Sequence, residues 1–144
     1  MSVPLREPAS LTGLSPAGTT RAARWTSYAL TGIAALFLAL DAMMKLMAAP
    51  PSITATMQLG FAPQQVPVIG AIGVVCLVLY LVPRTAVLGA VLWTGYLGGA
   101  VAANLRVGNP LWTHTLFPIY VAALVWGGLY LRDPRARVLL RPTR

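Results

Sequence analysis

The stretch VPVIGAIGVVCLVLYLVPRTAVLGAVLWTGYLGGAVAANL, residues 66–105, decides the fold: forty residues carry one charge, Arg84, near the middle. Each half is long enough to cross a bilayer as a helix, which takes about 20 apolar residues at about 1.5 Å rise each. Pro83-Arg84-Thr85 leaves room only for a tight turn, so the halves form an antiparallel hairpin. Two further apolar stretches flank it. The expected spans are Trp25–Met47, Pro63–Val82, Thr85–Leu105 and Trp112–Leu131. The fold class is therefore all-α: an integral membrane antiparallel four-helix bundle. Such a bundle uses most of the chain, so the expected division is a disordered tail at 1–24, a membrane domain at 25–131 and a basic tail at 132–144.

Composition agrees. Of 144 residues 57% are hydrophobic and 10% charged, against about 25% charged in soluble domains. The net charge of +8 raises the question of nucleic acid, but its placement answers otherwise. Arg6, Arg21, Arg24, Arg84, Arg132, Arg135, Arg137, Arg141 and Arg144 all fall on one side of a four-span topology. Lys45 and Arg106 fall on the other. This asymmetry is the positive-inside pattern. It puts both termini in the cytoplasm of a multi-pass inner (plasma) membrane protein. Nucleic acid is not an expected partner; membrane lipids are, and the basic tail suits anionic head groups. The apolar part of Trp25–Met47 is too long for a cleaved signal peptide, which favours a retained helix.

Pro50-Pro51 ends span one. The segment from Pro51 to Gly60 reads as a short interfacial helix between spans one and two, with a proline in its first turn and Gly60 as its cap. In span three, Gly95 and Gly99 make a GxxxG pair among many small residues, a pattern that lets helix backbones approach closely. Span three is accordingly expected at the centre of the bundle. Gly127-Gly128 suggests a similar role in span four. Pro118 is expected to kink span four, and Asp133-Pro134 to end it.

The candidate chemistry gathers at the outer ends of the spans. Asp41 lies inside span one, where an ionisable group is costly and marks a buried or wet site. Lys45 follows one helical turn later on the same face. The pair reads either as a structural ion pair or as a carboxylate that orients or protonates a ligand. Asn104 and Arg106 end span three, Trp93 and Tyr96 lie earlier in it, and Trp112 and His114 open span four. Asn104 suits interhelical hydrogen bonding or ligand contact. Arg106 suits head groups or a pair with Asp41. His114, the sole histidine, can exchange a proton near neutral pH or sit at the interface. Asp41 and His114 are thus the candidate catalytic residues. Lys45, Trp93, Tyr96, Asn104, Arg106 and Trp112 are the candidate ligand contacts. One histidine, one cysteine and three acids do not make a typical structural zinc site, and no phosphate-binding loop is present, so no metal or nucleotide is expected.

The pieces LDAMMKLMAAP (40–50), ITATMQLGFAP (53–63) and VIGAIGVVCLVLYLVPRTAVLGAVLWTGYLGGAVAANLRVG (68–108) resemble the DoxX-like family of small four-span membrane proteins. The matching features are Lys45, Leu59-Gly60, Pro83-Arg84 and Asn104-Leu105-Arg106. The resemblance implies a redox-linked membrane subunit that binds a quinone or similar lipid-soluble molecule, with a redox partner protein. Asn104 stands where the family commonly has a histidine. Two alternatives remain open: a non-catalytic scaffold that binds another membrane protein, and a cofactor-free isomerase of a lipid or terpenoid. Whether the protein is an enzyme, and whether it forms a homo-oligomer, stay open at this level.

Overall fold

Proline and glycine punctuate the apolar runs, and the helices begin and end at them. The computed structural model describes residues 21–139. Of the expected tail at 1–24, residues 1–20 lie outside the described residues, as do 140–144, while residues 21–24 form the first turn of α1. The helices are α1 (Arg21–Leu46), α2 (Pro50–Gln58), α3 (Gln65–Leu81), α4 (Ala86–Arg106), α5 (Phe117–Arg132) and α6 (Pro134–Leu139). A π-helical turn, Leu111–Thr115, precedes α5. Among the described residues there is no strand.

Trp25–Leu46, Ala86–Arg106 and Leu111–Arg132 are each long and apolar enough to cross a bilayer. α3, with 17 residues, sits at the short end of the spanning range of about 17–25. It starts two residues later than Pro63 because a helix tolerates proline only in its first turn, which Pro67 occupies. It stops at Leu81 because Val82 precedes a proline and is pushed to extended backbone, ψ 120°.

The four long helices form a ring. α1 packs against α3 and α5, and α4 packs against the same two helices. α4 is therefore diagonal to α1 rather than central, which corrects the expectation from its small residues. The reason lies in which glycines are used. A Cβ at Gly70 would stand 2.3 Å from Leu46 N, and one at Gly128 would stand 2.6 Å from the Thr31 hydroxyl. One at Gly89 would stand 2.2 Å from Tyr80 N. These three positions bring α3 onto α1, α5 onto α1 and α4 onto α3. At Gly95 and Gly99 a Cβ would meet nothing within 4 Å, so the GxxxG pair closes no contact among the described residues.

Hydrogen bonds tie the ring, two of them buried and one at its surface. Ser27 donates to Gly128 O at 3.0 Å, and Tyr80 Oη crosses the bundle to Val125 O at 3.0 Å. Trp126 Nε1 donates to the Thr94 hydroxyl at 2.9 Å. At the arginine-rich end, Arg132 donates to Tyr80 O at 2.8 Å and lies over the Tyr80 ring at 4.9 Å. Arg137 donates to Tyr130 O and Leu131 O. These cations meet the last carbonyls of α3 and α5, which lack helical partners and carry the negative end of the helix dipole. Two arginines of the basic cluster thus also finish helices.

At the opposite end, three helices stop by one device. In each, the residue after the C-cap is left-handed, and its own amide and the following one turn back onto the last carbonyls. Gly60 (φ +86°) ends α2, with Gly60 N to Met57 O at 2.8 Å and Phe61 N to Thr56 O at 3.4 Å. Gly108 (φ +71°) ends α4. Ala48 (φ +49°) ends α1, with Ala48 N to Lys45 O at 3.0 Å and Ala49 N to Met44 O at 2.9 Å. Left-handed backbone costs an L-residue about 1–2 kcal/mol. Part of that cost returns when glycine replaces alanine, less the added chain entropy of glycine. Ala48→Gly is therefore expected to stabilise the protein by about 0.5–1 kcal/mol, read as a raised thermal midpoint in detergent micelles.

The break between the π-helical turn and α5 falls at Leu116, and Pro118 lies in the first turn of α5. Pro118 therefore starts a helix instead of kinking one. At the other end Asp133 Oδ1 accepts from Arg135 N at 2.9 Å. Asp133 ends α5 and caps α6, with Pro134 as the first helical residue.

Candidate functional site

The ring of helices does not close on itself at the end opposite the arginines. A cavity of about 320 Å³ lies there, walled by all four long helices and by α2. α1 contributes Phe37, Leu38, Asp41 and Lys45 on successive turns of one face. α3 contributes Ile69 and Ile72, and α4 contributes Tyr96, Leu97, Gly99, Ala100 and Ala103. Thr56 of α2, its C-cap residue Leu59 and Phe61 just beyond form part of the wall. Phe117, Pro118 and Val121 complete it from α5. Phe37 and Phe117 meet edge to face, with centroids 5.3 Å apart, and join α1 to α5 there. The room comes from α4, whose cavity face carries two alanines and a glycine.

Four groups in this apolar wall are polar: Asp41, Lys45, Tyr96 and Thr56. Lys45 Nζ donates to Asp41 Oδ1, and this is the one ion pair among the described residues. The side chains keep 17% (Lys45) and 33% (Asp41) of their exposure. An ammonium carries three donors, so the pair leaves Lys45 with donors for a guest. Tyr96 Oη is buried and has no hydrogen-bond partner among the described residues. A buried hydroxyl without a partner costs about 1–3 kcal/mol, and a ligand acceptor would remove that cost once the Tyr96 side chain turns its hydroxyl toward the cavity. Trp93 packs edge to face on Tyr96 at 4.9 Å and is fully buried, also with an unpartnered Nε1. It lies behind the wall and holds the Tyr96 ring in place.

The structure thus brings together Asp41, Lys45 and Tyr96, with Trp93 in support. The remaining sequence candidates stand elsewhere. Asn104 is buried, donates to Ala100 O at 2.9 Å and accepts from Asn109 at 2.7 Å. Both ends of its amide are engaged in shaping the turn after α4. Arg106 does not reach Asp41; it donates to Leu59 O at 2.6 Å across the end of the bundle. His114 is exposed on the π-helical turn, where Nδ1 lies 2.8 Å from the Thr113 hydroxyl. Trp112 is 72% exposed. Neither His114 nor Trp112 lines the cavity.

Sequence reasoning passed over Phe37, Phe61, Thr56 and Phe117. Phe37 and Phe117 carry no signal, because aromatic and apolar residues fill every span whether they face lipid, core or cavity. Thr56 and Phe61 lie between spans and join the wall only through the packing of α2.

A family model described as the DoxX-like family matches residues 29–128. That interval runs from early α1 to late α5 and includes every wall of the cavity. No curated protein matches the chain, and no solved structure does. Family match, apolar helices and four-helix ring agree: this membrane protein belongs to the DoxX-like family.

Proposed function

We propose that the protein is a redox-linked subunit of the plasma membrane, with both termini cytoplasmic, whose outer cavity holds the ring of a quinone or a similar lipid-soluble molecule. The observation that supports this reading is a largely apolar cavity of about 320 Å³ whose wall carries the partly exposed Asp41–Lys45 ion pair and the Tyr96 ring. Ligand sites are typically of this kind: apolar, with a few placed polar groups, and about 300–1,000 Å³ in volume. Lys45 and Tyr96 would donate to ring carbonyls. Asp41 would hold Lys45 charged and oriented. Phe37 and Phe117 offer aromatic edges to a planar ring. A bound quinone would supply reversible electron storage, which no side chain in this wall supplies.

The open face of α4 around Gly95 and Gly98 favours a second, compatible reading, in which a partner subunit packs there. Small residues with free space are suited to close helix contact in lipid.

The test is native mass spectrometry with lipid extraction on the gently solubilised protein. A quinone retained by wild type and weakened about tenfold in Tyr96→Phe, as the loss of one hydrogen bond of about 1.4 kcal/mol predicts, supports the reading. Equal retention by both proteins removes Tyr96 from the site. No retained ligand, with a membrane protein co-purifying instead, favours the partner reading.

A further inference from the structure

A chamber of about 320 Å³ accommodates a ring but not a long apolar tail, so a membrane ligand needs an opening through which its tail stays in lipid. The chamber has a neighbour. A groove of about 410 Å³ runs along the outer end of α4, beside Gln65 and Arg106. Groove and chamber share Phe61, Gly99 and Ala103. Two of these are among the smallest residues, and Gly99 faces open space. Phe61 is therefore the one bulky side chain on the boundary.

The backbone under Phe61 is built to be held from outside. Phe61 follows Gly60, whose left-handed φ of +86° ends α2, and its own amide makes only a long bond, 3.4 Å, to Thr56 O. The firmer tie comes from another helix. Arg106 Nη2 on α4 donates to Leu59 O at 2.6 Å, spanning 47 positions of sequence. Arg106 has no carboxylate partner among the described residues. The rest of its guanidinium borders the groove, where it meets whatever polar group enters.

We propose that groove and chamber are two parts of one lateral portal, with Phe61 as its door and the Arg106–Leu59 hydrogen bond as its latch. A lipid-soluble ligand enters from the membrane past Arg106, displaces Phe61 and leaves its tail over Gly99. This inference rests on the cavity being a ligand site. Gating segments turn on a few loop or helix-end residues that absorb a backbone change. Here that place is the chain reversal at Gly60, held across the bundle by Arg106 and followed by Ala62, whose amide donates to Gln65 Oε1 at 2.8 Å.

The test reads access rather than ligand. Full-length protein carrying Ala100→Cys and Cys76→Ala is placed in phosphatidylcholine vesicles and labelled with the lipid-soluble reagent N-cyclohexylmaleimide. Ala100 lies in the chamber wall and outside the groove. Labelling is expected to speed up about tenfold on adding Phe61→Ala and several-fold on adding Arg106→Gln, and to slow about tenfold on adding Gly99→Leu. Rates within about twofold of one another across the series, in variants that elute as wild type does, overturn the portal. Should Gly99→Leu fail to fold, Phe61→Ala and Arg106→Gln decide alone. Quinone retention by wild type is measured in parallel. Its absence, with the labelling pattern intact, sinks the ligand reading and leaves the portal. Its presence, with a flat labelling pattern, does the reverse.

Discussion

Gly89→Val is expected to yield no folded protein. A Cβ at this position lies 2.2 Å from Tyr80 N, 2.5 Å from Tyr80 Cα and 2.6 Å from Leu79 C. All three are backbone atoms, so no rotamer change relieves the clash. The turn at Pro83-Arg84 joins α3 and α4 closely, and Tyr80 is held on its other side by Val125 O and Arg132. The helices therefore cannot part without losing the centre of the bundle. Overpacking in a core that can adjust costs about 1–3 kcal/mol; here the cost is expected above that range. Size-exclusion chromatography in mild detergent, with resistance to limited proteolysis, reads the result. Gly95→Val is the control. It sits one GxxxG step from Gly99, meets nothing within 4 Å and is expected to elute and resist protease as wild type does. A folded Gly89→Val would mean that α3 and α4 do not approach as described.

Breaking the Asp41–Lys45 pair from one side is expected to have the second largest effect. Asp41→Ala leaves an ammonium in an apolar wall with no counter-charge. Orphaning one member of a buried pair costs about 3–5 kcal/mol. The partial exposure of both side chains screens the charge and lowers the expected loss to about 2 kcal/mol. Asp41→Leu with Lys45→Leu removes both charges and is expected to recover most of that stability, because an ion pair replaced by packed apolar groups is often neutral or better. The same double variant is expected to lose quinone retention. Thermal midpoints and native mass spectra on the three proteins separate the two roles. If the double variant kept the ligand, the pair would be purely structural. If it stayed as unstable as Asp41→Ala, the ion pair itself would contribute to the fold.

The spans were legible because lipid imposes one demand on every residue in them. A backbone without water must satisfy itself as a helix, so twenty apolar residues in a row admit one reading. Pro83, Gly60 and Asp133-Pro134 were legible as ends for the same local reason, since proline and left-handed glycine act within one turn. The Asp41–Lys45 contact was legible because it is i to i+4 on one helix. Long-range partners were not. Arg106 was a candidate for Asp41 and found Leu59 O instead. Asn104 was a candidate ligand contact and bonds to Ala100 O and Asn109. Ala48 took the left-handed position that a pattern reader assigns to glycine.

The small residues show where the boundary lies. Gly70, Gly73, Gly89, Gly95, Gly98, Gly99 and Gly128 look alike in a sequence. The sequence alone determines that this chain is a helical membrane bundle, how many long helices it has, which end is basic and which holds the mixed polar groups. These follow from local backbone chemistry and from the cost of charge in lipid. Only the tertiary structure decides that Gly70, Gly89 and Gly128 are contacts while Gly95 and Gly99 are open. It alone places Tyr96, and not His114, at a cavity with Lys45. Helix rotation and pairing set those outcomes, and in a span apolar on all sides no hydrophobic face tells one helix which neighbour to turn to.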